Sequence, residues 1–125
     1  MKLFESLRQS INEEKVKTVV FTFGRFQPPT TGHEKLARFV SKEAKKNHAD
    51  AIIYPSTTQD RKKNPLSFKK KVKWLKLAFG RLATINSDPS IKTAFHALDK
   101  LIQQDYKHII FVVGGDRVED FRRQM

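Results

Sequence analysis

Cysteine is absent from the 125-residue chain, which excludes disulfides, thiolate metal sites and a cysteine nucleophile and leaves a reducing compartment open to it. No apolar run approaches the ~18 residues that a membrane-spanning helix needs. The first stretch, Met1 to Ser10, is too polar for the centre of a secretory signal. Both readings place the chain in the cytoplasm. Acidic residues are scarce: 13 Asp+Glu face 25 Lys+Arg, and the formal charge is +12 at neutral pH. Such an excess favours anionic partners, whether nucleotides, nucleic acid or an acidic protein surface. There is also no internal repeat, no low-complexity tract and no interdomain linker. What remains is 38% hydrophobic and 30% charged residues with ten Phe, the composition of a folded globular domain. A chain of this length forms one domain that buries roughly two-thirds of its unfolded surface.

Patterning divides that domain into strands and helices. Residues Met1 to Glu14 read as an amphipathic segment, because Leu3, Phe4, Leu7 and Ile11 recur at helical spacing, and form either a leader or a helix packed on a domain covering 15–125. The β-branched and aromatic run Lys17 to Phe23 has no polar alternation, as expected of a strand buried on both faces. Gly24 to Thr31 supplies loop residues and caps, so a helix should begin near Gly32 with Leu36, Phe39, Val40 and Ala44 inward. Asp50 to Tyr54 is a second strand ended by Pro55, and Ser56 to Asn64 is loop. Ser67 caps a further helix with Phe68, Val72, Leu75 and Phe79 on its apolar stripe, and Gly80 stops it. Leu82 to Ile85 reads as a brief third strand. Asp88 and Pro89 are placed as N-cap and first-turn proline of a helix with Ile91, Phe95, Leu98 and Ile102 on one side. His108 to Val113 is another buried strand, which Gly114-Gly115-Asp116 should turn into a helix from Arg117 onward. Alternating strands and helices imply a right-handed, parallel α/β sheet. A sheet of that kind wants one more strand after such a helix, so the chain reads as truncated or unusually minimal.

Open parallel sheets bind ligands outside the carboxyl ends of their strands, where the strand order reverses. Two loops here leave such ends, Gly24 to Thr31 and Gly114 to Asp116. The first combines a glycine for close backbone approach, the charge of Arg25, and a helix N-terminus whose unpaired N–H groups suit phosphate. His33, in the first helical turn, adds a donor. The plainer alternative is a proline-rich turn with a capping threonine and an exposed histidine. The basic run Arg61, Lys62, Lys63, Lys69, Lys70, Lys71, Lys73 and Lys76 is either a solvated helix face or a source of phosphate contacts, and Trp74 within it either packs or stacks on a base. His48, His96 and His108 lack metal-ligand spacing and read as surface or packing residues, so no protein-held metal is expected.

The stretch GRFQPPTTGH, Gly24 to His33, resembles the first motif of the nucleotidyltransferase superfamily, which includes nicotinamide-mononucleotide adenylyltransferase, phosphopantetheine adenylyltransferase and the cytidylyltransferases. Gly24 to Pro28 is most like the nicotinamide-mononucleotide branch, whereas Thr30 stands where that branch has histidine and matches the phosphopantetheine branch. Lys63-Asn64-Pro65-Leu66 with Lys70 and Lys71 is similar to the K-N-P-F segment and acceptor-side helix of these enzymes, with Lys-Lys in place of Glu-Arg. Val112 to Asp116 resembles their G-x-D strand-end turn. The resemblance implies a Rossmann-like open parallel sheet with helices on both faces. It implies ATP or CTP held by Gly24, Arg25, Phe26, Gln27, Gly32, Gly114 and Asp116, with magnesium arriving on the triphosphate. His33 and Thr30 would donate to the phosphates, and Lys63, Lys70 and Lys71 would hold triphosphate or acceptor oxygens. An acceptor phosphate would then attack the α-phosphorus in line and displace pyrophosphate. Nothing between Asp116 and Met125 matches the second family motif, I-S-S-T-x-I-R, so a non-catalytic nucleotide-binding remnant is the first alternative. Residues Met1 to Glu14 also resemble the targeting peptides of phage internal head proteins, with Ile11-Asn12-Glu13 as the cleavage point. That likeness makes a basic nucleic-acid or phage-head module the second alternative.

Overall fold

The run of apolar residues after Lys17 forms strand β1, Thr18–Gly24, at the centre of the sheet. Successive side chains of a strand point to opposite faces, and here both faces are buried: Val19 and Phe21 enter one apolar cluster and Val20 another. This is why β1 shows no polar alternation. The computed structural model describes residues 17–26, 31–57, 67–114 and 117–122. The expectations for the leader at 1–14, for residues 27–30 and for the loop at 58–66 lie outside them.

Helix α1, Thr31–Lys46, leads to β2, Asp50–Pro55; α2, Phe68–Phe79, leads to β3, Thr84–Ile85; and α3, Ala94–Gln103, leads to β4, His108–Gly114. A last strand, β5, spans Arg117–Arg122. The sheet order is β3-β2-β1-β4-β5, with β1 to β4 mutually parallel and β5 antiparallel to β4. Ala37, Val40 and Ala44 of α1 and Val72, Leu75 and Phe79 of α2 cover one face, whereas Ala97 and Leu101 of α3 cover the other. The architecture is the expected Rossmann-like α/β sheet with helices on both faces. Local signals account for several boundaries. Ser67 caps α2, its Oγ accepting the Lys70 N–H at 3.3 Å, and Gly80 ends the helix with its N–H donating to the Lys76 carbonyl at 3.0 Å.

Three expectations need correction. The segment after Gly114 is not a helix. Arg117–Arg122 has its two apolar residues, Val118 and Phe121, three apart, so no two-residue apolar period marks it in the sequence, yet it pairs with the otherwise open edge of β4. The edge of the sheet beside β4 is thus formed by antiparallel β5. Asp88 does not cap a helix either. Its Oδ1 accepts from the Ser90 N–H at 2.9 Å and the Ser90 hydroxyl at 2.7 Å, closing a local turn. The true N-cap is Thr93, whose hydroxyl accepts the His96 N–H at 3.0 Å. With the start displaced, Ile91 is buried ahead of the helix while Phe95 is 84% exposed instead of facing inward. Finally, the third strand is confined to Thr84–Ile85, because Leu82 still bonds back to Phe79 in the turn that follows α2.

Candidate functional site

From β1 the chain winds through β2 to β3 in one direction, then crosses by way of α3 to place β4 on the other side of β1. The strand order therefore reverses between β1 and β4. The ladders show where they separate. Pairing of β1 with β2 continues to Gly24 opposite Pro55, but pairing of β1 with β4 ends at Phe21 opposite Phe111. Just beyond, the buried Thr22 hydroxyl donates to the Val112 carbonyl at 2.8 Å, satisfying an acceptor next to the end of that ladder. A crevice at this position is the general ligand site of open α/β sheets. Gly24 to Phe26 lies on one flank and the end of β4 at Gly114 on the other.

The loop leaving β1 folds back sharply. A Cβ at Gly24 would stand 3.2 Å from the Phe26 ring, so the absence of a side chain permits the close return. Phe26 has φ of 51°, the left-handed region that a bulky residue occupies at a cost of about 1–3 kcal/mol. Its compensation is burial: the ring is 2% exposed and sits in the cluster containing Ala37, Ile53, Val72 and Leu75. His33, in the first turn of α1, leans on that ring with centroids 5.1 Å apart. Burial pushes the His33 pKa below its ordinary value, so the imidazole is neutral at neutral pH. A neutral imidazole next to the N–H groups of a helix start offers directional hydrogen bonding to an anion. Glu34 in the same turn is engaged by Arg38 at 3.0 Å.

Lys71 lies on the other side of the loop. It is fully buried, and its Nζ donates to the Ser56 carbonyl at 2.8 Å while the Ser56 N–H donates to the Gly24 carbonyl at 2.7 Å. The ammonium thus fastens the carboxyl end of β2 to that of β1. Its pKa is lowered, first by burial and then by the positive charge of Arg25. Lys71 is thus a buried cation behind the loop whose charged form is disfavoured by the Arg25 charge, so an anion bound nearby would relieve it.

The structure thus gathers Gly24, Arg25, Phe26, His33 and Lys71 around one loop, with Gly32 in the first turn of α1 and Gly114 closing β4. Gln27, Thr30, Lys63 and Asp116 lie outside the described residues. The remaining lysines of α2 behave differently from Lys71: Lys69, Lys70, Lys73 and Lys76 are exposed. Trp74 is half-buried and meets Phe79 edge-on at 5.6 Å, which makes it a packing residue. His108 is buried with Nε2 2.7 Å from Asp120 Oδ1, joining β4 to β5. Ser56 and Thr22 escaped the sequence reading because their roles depend on strand neighbours that no local spacing reveals. Among the described residues no three His, Cys, Asp or Glu side chains converge on a metal position. Magnesium usually keeps several waters and binds by way of substrate phosphates rather than in an all-protein cage.

Residues 21–125 match the family model described as cytidylyltransferase-like, a span that starts in β1 and takes in both flanks of the crevice. The chain belongs to the cytidylyltransferase-like family. Comparison with curated proteins and with solved structures returns no match. Membership of the cytidylyltransferase-like family supports activity of the nucleotidyltransferase type, with a nucleoside triphosphate as substrate. No helix among the described residues is long and apolar enough to cross a membrane.

Proposed function

We propose that this cytidylyltransferase-like domain binds a nucleoside triphosphate in the crevice between β1 and β4 and transfers its nucleotidyl group to a phosphate-bearing small molecule. The observation that carries the reading is the loop after β1, where a neutral His33, the start of α1 and Arg25, backed by the buried Lys71, lie beside the point of strand reversal. The likeness of Gly24 to Pro28 to the nicotinamide-mononucleotide branch favours ATP over CTP.

In the proposed reaction an oxygen of the acceptor phosphate forms a bond to the α-phosphorus. The bond from that phosphorus to the bridging oxygen breaks, and pyrophosphate leaves with the electron pair. No covalent enzyme intermediate is required, so catalysis consists of alignment and charge stabilisation. His33 and Thr30 donate to phosphate oxygens as charge accumulates on them, Gly24 and Gly32 allow the main chain to approach, and Gln27 offers its amide to the nucleotide. Arg25 and Lys63 meet the polyphosphate as point charges. Lys71 acts one step back, holding Ser56 and through it the Gly24 loop in place. Gly114 and Asp116 border the base. Magnesium, entering on the triphosphate, would neutralise part of its charge.

The test is pyrophosphate release from ATP and from CTP, each supplied with a panel of phosphorylated acceptors. Loss of one preorganised donor typically costs 10²–10³-fold, so His33→Ala should reduce turnover by about that factor while the protein remains folded. Wild-type protein that binds triphosphate with no turnover for any acceptor would instead identify a nucleotide-binding protein without catalysis.

A further inference from the structure

At the amino ends of β2 and β3, the opposite end of the sheet from the crevice, an open groove of about 340 Å³ runs between the second half of α1 and the turn after α2. A second hollow of about 230 Å³ adjoins it, sharing Ser41, Lys45 and Leu82. The cations along this surface are Arg38, Lys42 and Lys45 from α1 and Arg81 from the turn. Arg38 is committed to Glu34, with Nε and Nη2 at 3.1 and 3.0 Å from Oε1. Lys42, Lys45 and Arg81 make no ion pair among the described residues. One carboxylate, Asp50, also lines the groove, and its Oδ2 takes the Tyr106 hydroxyl at 2.6 Å. Ser41 borders both hollows and is only 6% exposed.

We infer that this groove is a docking surface for a double-stranded nucleic acid, bound through its phosphodiester backbone. The cations on α1 follow helical spacing, and at about 1.5 Å of rise per residue Arg38 to Lys45 covers ~10 Å, a length over which a duplex presents several phosphates at one charge per ~1.7 Å. Small residues, Ala44, Ala49 and Ala83, floor the groove, which leaves room for a sugar-phosphate strand but provides no aromatic anchor of the kind that dominates protein–protein binding. A serine hydroxyl among lysines and arginine is the donor set that phosphate contacts use. The net charge of +12 adds long-range attraction for the same partner. Because the groove and the crevice lie at opposite ends of the strands, the inference stands independently of the nucleotidyl-transfer reading.

The experiment is fluorescence anisotropy of labelled 20-base-pair DNA, with double-stranded RNA as a second arm to separate the two sources of the same backbone, across a salt series. Three contacts at roughly −0.9 each give a slope of about −2.7 for log affinity against log salt, hence a ~40-fold loss between 50 and 200 mM. Lys42→Glu, Lys45→Glu and Arg81→Glu together should weaken binding at least ~10-fold beyond the triple variant Lys73→Glu, Lys76→Glu and Lys92→Glu, which makes the same change in net charge outside the groove. The neutral set Lys42→Gln, Lys45→Gln and Arg81→Gln should show the same ordering with an unchanged melting temperature, so misfolding does not obscure the result. His33→Ala should leave duplex binding unaffected. Equal losses in the groove and control variants overturn the inference, because attraction would then be diffuse. Polyglutamate that displaces the duplex and loses its own binding in the groove variant more than the duplex does also overturns it, in favour of an acidic protein.

Discussion

His33 and Lys71 show how one side chain acquires its chemistry from its surroundings. Burial favours the uncharged imidazole at position 33, so the folded state takes up a proton at lower pH than the unfolded chain, whose histidine titrates near 6.5. Stability is therefore complete above that value and declines as the pH drops below it toward the folded pKa. Melting curves at pH 7.5 and 5.5 should show a larger fall for the wild type than for His33→Gln, which lacks the titrating ring; parallel falls would refute a buried neutral histidine. Lys71 offers a second comparison. A buried ammonium is costly to hold in the fold, which offsets the loss of its hydrogen bond, so Lys71→Met, of similar volume, should remain folded. It should nevertheless bind triphosphate about tenfold more weakly, because nothing would then tie Ser56 to the Gly24 loop. Titration calorimetry decides this, and an unchanged affinity would remove Lys71 from the site.

Among the elements, β5 is the one whose type the sequence misrepresented. Six residues with two apolar positions fit a helical turn and a short strand almost equally, and only the proximity of an unpaired β4 edge selects the strand. The contact between His108 and Asp120 at 2.7 Å ties it down, and removing the carboxylate in Asp120→Ala should cost about 1 kcal/mol, since Asp120 is half-exposed. Amide exchange should then accelerate in β5 and in its partner residues Ile109 to Val112 before it does in β2. By contrast, β1, the inner face of α1 and the Ser67 cap of α2 were legible because each depends on residues adjacent in sequence. The start of α3 was not. Asp88-Pro89 and Thr93 are both competent caps, and the choice fell to Thr93 because burying Ile91 in the cluster with Tyr54 and Leu101 holds the chain outside the helix until that point.

For the molecule as a whole, the sheet is held at the place where it must open. Phe21 stacks on Phe111 of β4 at 4.7 Å and meets Tyr54 of β2 edge-on at 5.7 Å, so a single ring joins three strands immediately beneath the crevice. Burial in that cluster pushes the Tyr54 pKa up to about 12, keeping its hydroxyl protonated at any physiological pH. Phe21→Ala should cost about 3–5 kcal/mol, a large share of the 5–15 kcal/mol that stabilises a typical domain. Denaturant unfolding measures the loss, and a change below 1 kcal/mol would show that the three strands are held by something else.

Sequence alone determined the strands β1, β2 and β4, the inward faces of α1 and α2 and the break in β1 at Gly24, because apolar periodicity, caps and turn residues act over a few positions. It also fixed the sign of the charge, though not where that charge is concentrated. Only tertiary structure decided that β4 returns to the far side of β1, that Phe26 is buried beneath His33, that Lys71 alone of its basic helix turns inward, and that the final segment pairs as a strand. Each of these depends on groups distant in sequence competing for the same buried volume or the same unpaired backbone, and that competition is settled only when the whole chain is in place.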